Sequence, residues 1–561
     1  MKMRKIYKLT AMLLGSMILA TSCIEETFPL NGTGTAEMIN KSEFAANGLE
    51  AAMSAILITN NVYGWDVHGD FGYPSLMATY DRVIGEVFPV GTNQYRDQFQ
   101  NYAYQMYIGP TGFCAYIWYH YYQFIKITND LIKTCGKNES LKEQRGVAKT
   151  FRALYYLDLA RLYDPLDAIS TEVATYQSEL ANVAGLTVPI VDENTTEQSA
   201  KNNPRLPREQ MFQFIFDDLN DAEECLKEFV PNAKNIPSLS VIYGLKARAY
   251  LWLGEFEEQY DADEYPDVLT GEAAYKEAAK YARLAITESK CVPLTESEYC
   301  DPINGFNTIN NSWLWGMIQS SETVLSNLHT WAAHMCCAAG WGYGSGALPG
   351  VRRASYERMS DTDFRKKLIV GPNKEYKDYK DVTNLTKSEW TTFGIDATGM
   401  LPYANLKFRT NGGEKIDSAT GNVVDIPLMR VEEMYFIEAE ATAQYDAALG
   451  KSLIESFMTS YRDPKYSVQG LDLIDEIIFQ KRVELWGEGL LLFDFKRLNM
   501  SLDNAYEGTN TPAGLDFHSY GRCPAWNFCI PTAEIQQNRA LQGKNNPDPS
   551  MTLKPKNEIP E

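Results

Sequence analysis

The chain has 561 residues, 45% of them hydrophobic and 12% aromatic, which is enough apolar material for one large core or two fused ones and too much for a disordered polymer. A formal charge of −21 argues against a nucleic-acid backbone as partner, because phosphate binding needs clustered Lys and Arg. Neutral or cationic ligands fit that balance better.

At the start of the chain, Lys2, Arg4, Lys5 and Lys8 precede an uncharged apolar run over 11–20, too short to span a bilayer as a helix. Residues 1–22 therefore read as a signal peptide. The small residues Ala20, Thr21 and Ser22 before Cys23 resemble the lipobox of bacterial lipoproteins, which implies cleavage and lipidation at Cys23. Downstream there is no other uncharged apolar stretch near the roughly twenty residues a membrane-spanning helix needs. Residues 23–40 are polar with Gly and Thr, as expected of a tether, and Glu25 and Glu26 resemble the acidic outward-sorting signal of some surface lipoproteins. The expected location is the outer membrane, lipid-anchored and facing the exterior.

Helical periodicity begins near Ser42 and dominates 41–290, the N-terminal helical part. Three- and four-residue apolar spacing predicts an antiparallel pair over 116–135 and 141–163, then helices over 208–229, 238–255 and 272–289. Gly244, Ala247 and Ala249 alternate with bulky Leu245, Tyr250 and Leu251, as in tetratricopeptide-type hairpins where small residues permit close helix approach. In the C-terminal part, 291–561, the pattern changes to Gly, Trp, Tyr, Asn and short strand-like pieces such as 313–318. Long unpatterned stretches inside a compact domain are usually functional or disordered, and the aromatic content here opposes disorder. Helices return over 428–445 and 471–498.

Several segments together resemble the SusD/RagB family of outer-membrane nutrient-binding lipoproteins. The strongest spans 478–497, where Arg482, Glu484, Leu485, Glu488, Gly489, Asp494 and Arg497 match the family signature, while Gln480 and Leu491 depart from it. Four further stretches agree in order: Trp118 to Asn129, the helix from Phe151-Arg-Ala-Leu-Tyr-Tyr156 to Arg161-Leu-Tyr163, Ile426-Pro-Leu-Met-Arg430 through Ile437-Glu-Ala-Glu-Ala441, and Ile530-Pro-Thr-Ala-Glu-Ile535 with Asn538. The resemblance implies a mostly α fold in which tetratricopeptide-like hairpins support an irregular, loop-rich ligand-binding face. It also implies a SusC-like TonB-dependent transporter as partner and capture of glycans rather than catalysis, with no cofactor.

The chemistry-bearing residues agree with that expectation. Glu484 and Glu488 are four apart, so a helix would put both carboxylates on one face, as glycoside hydrolysis requires; flanked by Arg482, Lys496 and Arg497, they read as structural ion pairs. The five histidines show no metal-ligand spacing, and there is no phosphate loop or nucleophile elbow. Nine cysteines remain after Cys23, without CxxC pairs; Cys336-Cys337 reads as packing, and a bridge such as Cys523 with Cys529 is compatible with an oxidising exterior.

A neutral sugar is held by stacking its C–H face on aromatic rings, with polar side chains fixing its hydroxyls. Two zones have that composition. The first contains Trp65, Tyr73, Arg82 and Tyr95, interleaved with His68, Asp70, Asp81 and Asn93. The second contains Trp331, Trp341 and Tyr343 among glycines that predict loop presentation. Trp118, Trp252, Trp313, Trp315 and Trp486 fall in apolar patterns and read as core. The reading is a glycan-capturing surface lipoprotein; its rivals are a peptide-capturing member of the same family, a surface glycosidase and a purely structural scaffold.

Overall fold

A computed structural model describes residues 48, 52–59, 69–90, 109–168, 174–324, 327–343, 347–372, 401–468, 470–513 and 515–548. Cys23, Trp65 and Tyr95 lie outside them. The fold is mostly helical. Its principal helices are α1 (Tyr73–Val83), α2 (Phe113–Cys135), α3 (Lys142–Tyr163), α4 (Arg208–Leu226), α5 (Leu239–Leu253), α6 (Gly271–Ser289), α7 (Val431–Ala443), α8 (Ala447–Tyr461), α9 (Leu473–Glu484) and α10 (Leu491–Arg497).

From α2 to α8 each principal helix packs on the next, and the contacts show that every one of these neighbours is antiparallel. Asn129 near the end of α2 meets Arg152 of α3 at 2.8 Å, while Trp118 near its start packs on Tyr163. Arg152 then forks onto Asp218 of α4 at 2.7 and 2.8 Å, and Gly146 lets α4 approach so closely that a Cβ there would lie 2.7 Å from Cys225. Phe216 of α4 stacks on Tyr250 of α5, and Tyr250 stacks on Tyr281 of α6. Arg283 of α6 pairs with Glu438 of α7, and the Lys276 ammonium sits over Tyr445 just beyond it. Phe436 of α7 meets Phe457 of α8 edge-on. The helices before and after residue 290 thus share packed faces.

Two small antiparallel sheets complete the frame: β1 (Phe88–Pro89) with β3 (Pro349–Gly350), and β2 (Trp313–Met317) with β4 (Ile426–Arg430). The β2 strand coincides with the strand-like piece expected there. Helix expected from 428 instead starts at Val431, because 426–430 pairs with β2; Pro427 and the irregular register at Trp315 mark a strand rather than a helix start. The helix expected over 471–498 is two helices. Gly487 and Gly489 between them take positive φ of 79° and 73°, which ends α9 and turns the chain into α10. The α8 helix, capped by Asp446 on the Leu449 N–H at 3.0 Å, lies where no helix was expected.

Gly244 of α5 faces Met429 and Met434, and Ala247 and Ala249 are buried, so the small residues do occupy close approaches. Trp118, Trp252, Trp313, Trp315 and Trp486 are all core. Among the described residues no helix is long and apolar enough to cross a membrane.

Candidate ligand-binding site

The described part of the first aromatic zone is an interior network. Tyr73 opens α1, and its phenol donates to Asp158 of α3 at 2.6 Å; Tyr121 of α2 donates to the same carboxylate at 2.8 Å, and Arg161 holds its other oxygen at 2.6 Å. Burial first, then the Asp158 charge, pushes both phenols well above their ordinary range. Arg82 is buried as well, and Asp70 is buried against His120 at 3.1 Å.

In the second zone, Trp331 lies in a short buried helix, Trp331–Met335, capped by Thr330, with its ring edge-on to Phe408 at 5.0 Å. Tyr343 is also buried. The loop presentation expected of these two rings does not occur: the glycines there permit backbone contact, since a Cβ on Gly342 would fall 2.5 Å from Ala333. The His334 ring packs, tilted, between Phe71, at 4.8 Å, and Tyr343, at 5.1 Å. Segments far apart in sequence therefore meet through one histidine ring.

Trp341 is different. It is half-buried, its indole N–H donates to Asn422 at 3.0 Å, and its ring lies so close to Gly421 that a Cβ there would sit 2.2 Å from the six-membered edge. Asn422 also accepts from Thr330 at 2.6 Å and donates to the Asn327 carbonyl at 3.2 Å, so one buried amide ties the ring to the Trp331 helix and to the chain before it. The Gly340 N–H donates to the Lys415 carbonyl at 3.1 Å.

The segment 411–422 beside Trp341 carries exposed polar groups on a braced backbone. The Glu414 carboxylate accepts from the N–H groups of Lys415, Ile416 and Asp417 at 2.8, 2.8 and 3.0 Å; these bonds, Ile416 first, lower its pKa. Asp417 caps the short helix Ser418–Gly421 through Ala419 and is held low by Thr420 and by that N–H. A fixed ring rimmed by carboxylate, hydroxyl and amide groups can stack on a sugar face and bond its hydroxyls. Sequence reasoning missed this segment because it has no aromatic residue; the Gly- and Asn-rich turn at 411–413 was its only signal.

The paired carboxylates are not a site. Glu484 accepts from Arg462 at 2.7 and 3.0 Å, from Arg430 at 3.1 Å and from Arg365 at 3.1 Å. Glu488 accepts from Arg430 at 2.8 and 2.9 Å and from Lys407 at 2.6 Å. Burial alone would raise both carboxyls, but Arg462, Arg430 and Arg365 hold Glu484 well below the usual range, and Arg430 and Lys407 lower Glu488. With every oxygen engaged by a cation and both side chains buried, neither can protonate a leaving group or activate water. The partners differ from those read in sequence: Arg482 pairs with Glu86 at 2.7 Å, Arg497 with Asp494, Glu255 and Glu440, and Lys496 donates to the carbonyls of Arg161 and Leu162 at 2.8 Å.

Cys337 donates to the Asn405 carbonyl at 3.2 Å, burial pushes its thiol up to about 12, and Cys336 is buried beside it, both serving packing. Among the described residues no group of three or more His, Cys, Asp and Glu is placed to hold a metal ion.

This helical array carrying an irregular face is a SusD-like fold. A SusD-like carbohydrate binding protein from Bacteroides vulgatus is 20% identical over 88% of this chain and 96% of its own, with a TM-score of 0.64. A SusD superfamily protein from Bacteroides thetaiotaomicron is 16% identical over 89% and 98%, with a TM-score of 0.62. Surface glycan-binding protein A from Bacteroides thetaiotaomicron, in complex with laminarihexaose, is 15% identical over 91% and 99%, with a TM-score of 0.59. Residues 323–548 match the model of the SusD family. No curated protein sequence matches it.

Proposed function

We propose that this chain is a cell-surface glycan-binding lipoprotein, held at the outer membrane by lipid on Cys23 and the tether that follows, which captures oligosaccharides and delivers them to a SusC-like TonB-dependent transporter. The observation that carries the reading is the Trp341 ring, half-buried, fixed by Asn422 and Gly421, and rimmed by the polar segment 411–422. A pre-set ring loses little freedom when a sugar stacks on it. The laminarihexaose complex of a protein with the same fold supports the ligand class. Trp65 and Tyr95 remain proposed contacts, and the burial of Tyr73, Arg82, Trp331 and Tyr343 favours a supporting role for them behind the face. The helix hairpins are proposed as a tetratricopeptide-like scaffold.

Calorimetric titration of the mature protein with laminarihexaose, other oligosaccharides and peptides tests the reading. Saturable binding to an oligosaccharide is expected, weakened roughly two- to tenfold by Trp341→Ala, the range of one aromatic stacking contact. Gly421→Ala should weaken it similarly and shift tryptophan emission, since the added methyl must displace the ring. Binding confined to peptides overturns the glycan assignment.

A further inference from the structure

Cys114 sits in the first turn of α2 and Cys529 in the segment that closes the chain; both are fully buried. Their thiols hydrogen-bond to each other. The surrounding backbone makes that approach a built feature: Phe113 and Phe528 pack edge to face at 6.0 Å, the Tyr163 phenol donates to the Cys114 carbonyl at 3.0 Å, and the Phe528 N–H donates to the Leu162 carbonyl at 3.2 Å. The end of α3 thus holds both cysteine-bearing strands of chain together. Three other cysteines have other engagements: Cys337 bonds to the Asn405 carbonyl, Cys291 to the Trp313 carbonyl, and Cys225 accepts from Arg145.

We propose that Cys114 and Cys529 are a disulfide site, closed in the oxidised protein, which clamps the start of the helix array to the C-terminal segment. The two thiols release two protons and two electrons as the S–S bond forms, and the electrons reduce the disulfide of an exchange partner, oxidised glutathione or a dithiol catalyst, to two thiols. The hydrogen bond to Cys114 and then burial push the Cys529 thiol well above its ordinary pKa, and burial shuts both cysteines of the folded protein away from an exchange partner. Closure therefore belongs to folding, before the C-terminal segment seats. Once closed, the bridge restricts a loop containing most of the mature chain, the case in which cross-linking constrains the unfolded state most.

Closure in the cell needs an oxidising compartment, which rests on the export reading above; refolding in vitro separates the two. Reduced, unfolded protein would be refolded in a glutathione redox buffer, blocked with N-ethylmaleimide under denaturing conditions, digested and analysed by mass spectrometry. The expected product is a peptide pair joining Cys114 to Cys529, absent from Cys114→Ser, with the unreduced wild type migrating faster than the reduced form on a denaturing gel. Both cysteines recovered blocked, or Cys529 joined to Cys523, overturns the proposal. A bridge that forms on refolding, with both thiols free in protein taken from cells, supports the site and counts against export.

Discussion

Asp81 is a carboxyl group held where charge is costly. It is fully buried in α1, with one oxygen accepting the Gly489 N–H at 3.0 Å. Burial raises its pKa to about 8, aided by Glu86 and Glu488 and opposed by the Gly489 N–H and Lys407. Because the folded value exceeds the ordinary 3.8, the folded state binds this proton more tightly than the unfolded one. The resulting stability is fully present below pH 3.8 and is lost as pH rises towards 8. Asp81→Asn removes the titration while keeping an oxygen for Gly489. Its melting temperature should gain on the wild type steadily from pH 5 to pH 8; a gap that stays flat over that range would mean that the carboxyl is ionised throughout. At this scale the sequence was legible wherever a residue sat in a periodic apolar pattern, as the five core tryptophans show. It was not legible for Trp331 and Tyr343, because glycine neighbours accompany both a presented ring and a tightly packed backbone. Asn422 was invisible for a different reason: its importance comes from three segments converging on one amide, which no local pattern records.

Among the elements, the family motifs turn out to be partners of one another. Asn129 of one motif receives a hydrogen bond from Arg152 of the next, Trp118 hydrogen-bonds Glu534 of the closing motif, and Arg430 binds Glu484 and Glu488 of the signature helix and turn. That is why a fingerprint spread over the chain predicts the fold well and the ligand poorly: its polar residues satisfy one another inside the scaffold. The departures fit the same frame, since Gln480 at the expected Glu still receives Arg365 and donates to Glu476. Removing one member of a buried ionic cluster leaves its partners uncompensated, at a cost of about 3–5 kcal/mol. Glu484→Gln, which strands Arg365, Arg430 and Arg462 against a neutral amide, should lose stability of that order in urea unfolding. It should leave oligosaccharide affinity unchanged in whatever fraction stays folded. A loss of affinity with full stability would instead make Glu484 a ligand-contacting residue. The glycines that break 471–498 were visible as letters, but periodicity continued across them, and only the positive φ at both shows that the helix must stop.

Across the whole molecule, the change of composition near residue 291 marks a change of architecture, from regular helices to an irregular face, while the packing runs straight through it. Arg248 of α5 forks onto Glu433 of α7 at 2.6 and 2.7 Å and also donates to the Leu428 carbonyl at 2.8 Å. Asn538 bonds both backbone groups of Asn203, at 2.7 and 2.9 Å, and Lys496 reaches the carbonyls at the end of α3. Each of these joins a residue before 290 to one after it, and most of the atoms involved are buried, so separating the parts would leave charged groups unpaired in freshly exposed apolar faces. A fragment covering 41–290 should therefore lack a native near-ultraviolet circular dichroism signal even though its helices have strong local patterns. The intact protein should melt in one calorimetric transition, with equal calorimetric and van't Hoff enthalpies. Two resolved transitions, one reproduced by the isolated fragment, would instead make 290 a true domain boundary and reduce the cross-boundary ion pairs to docking contacts.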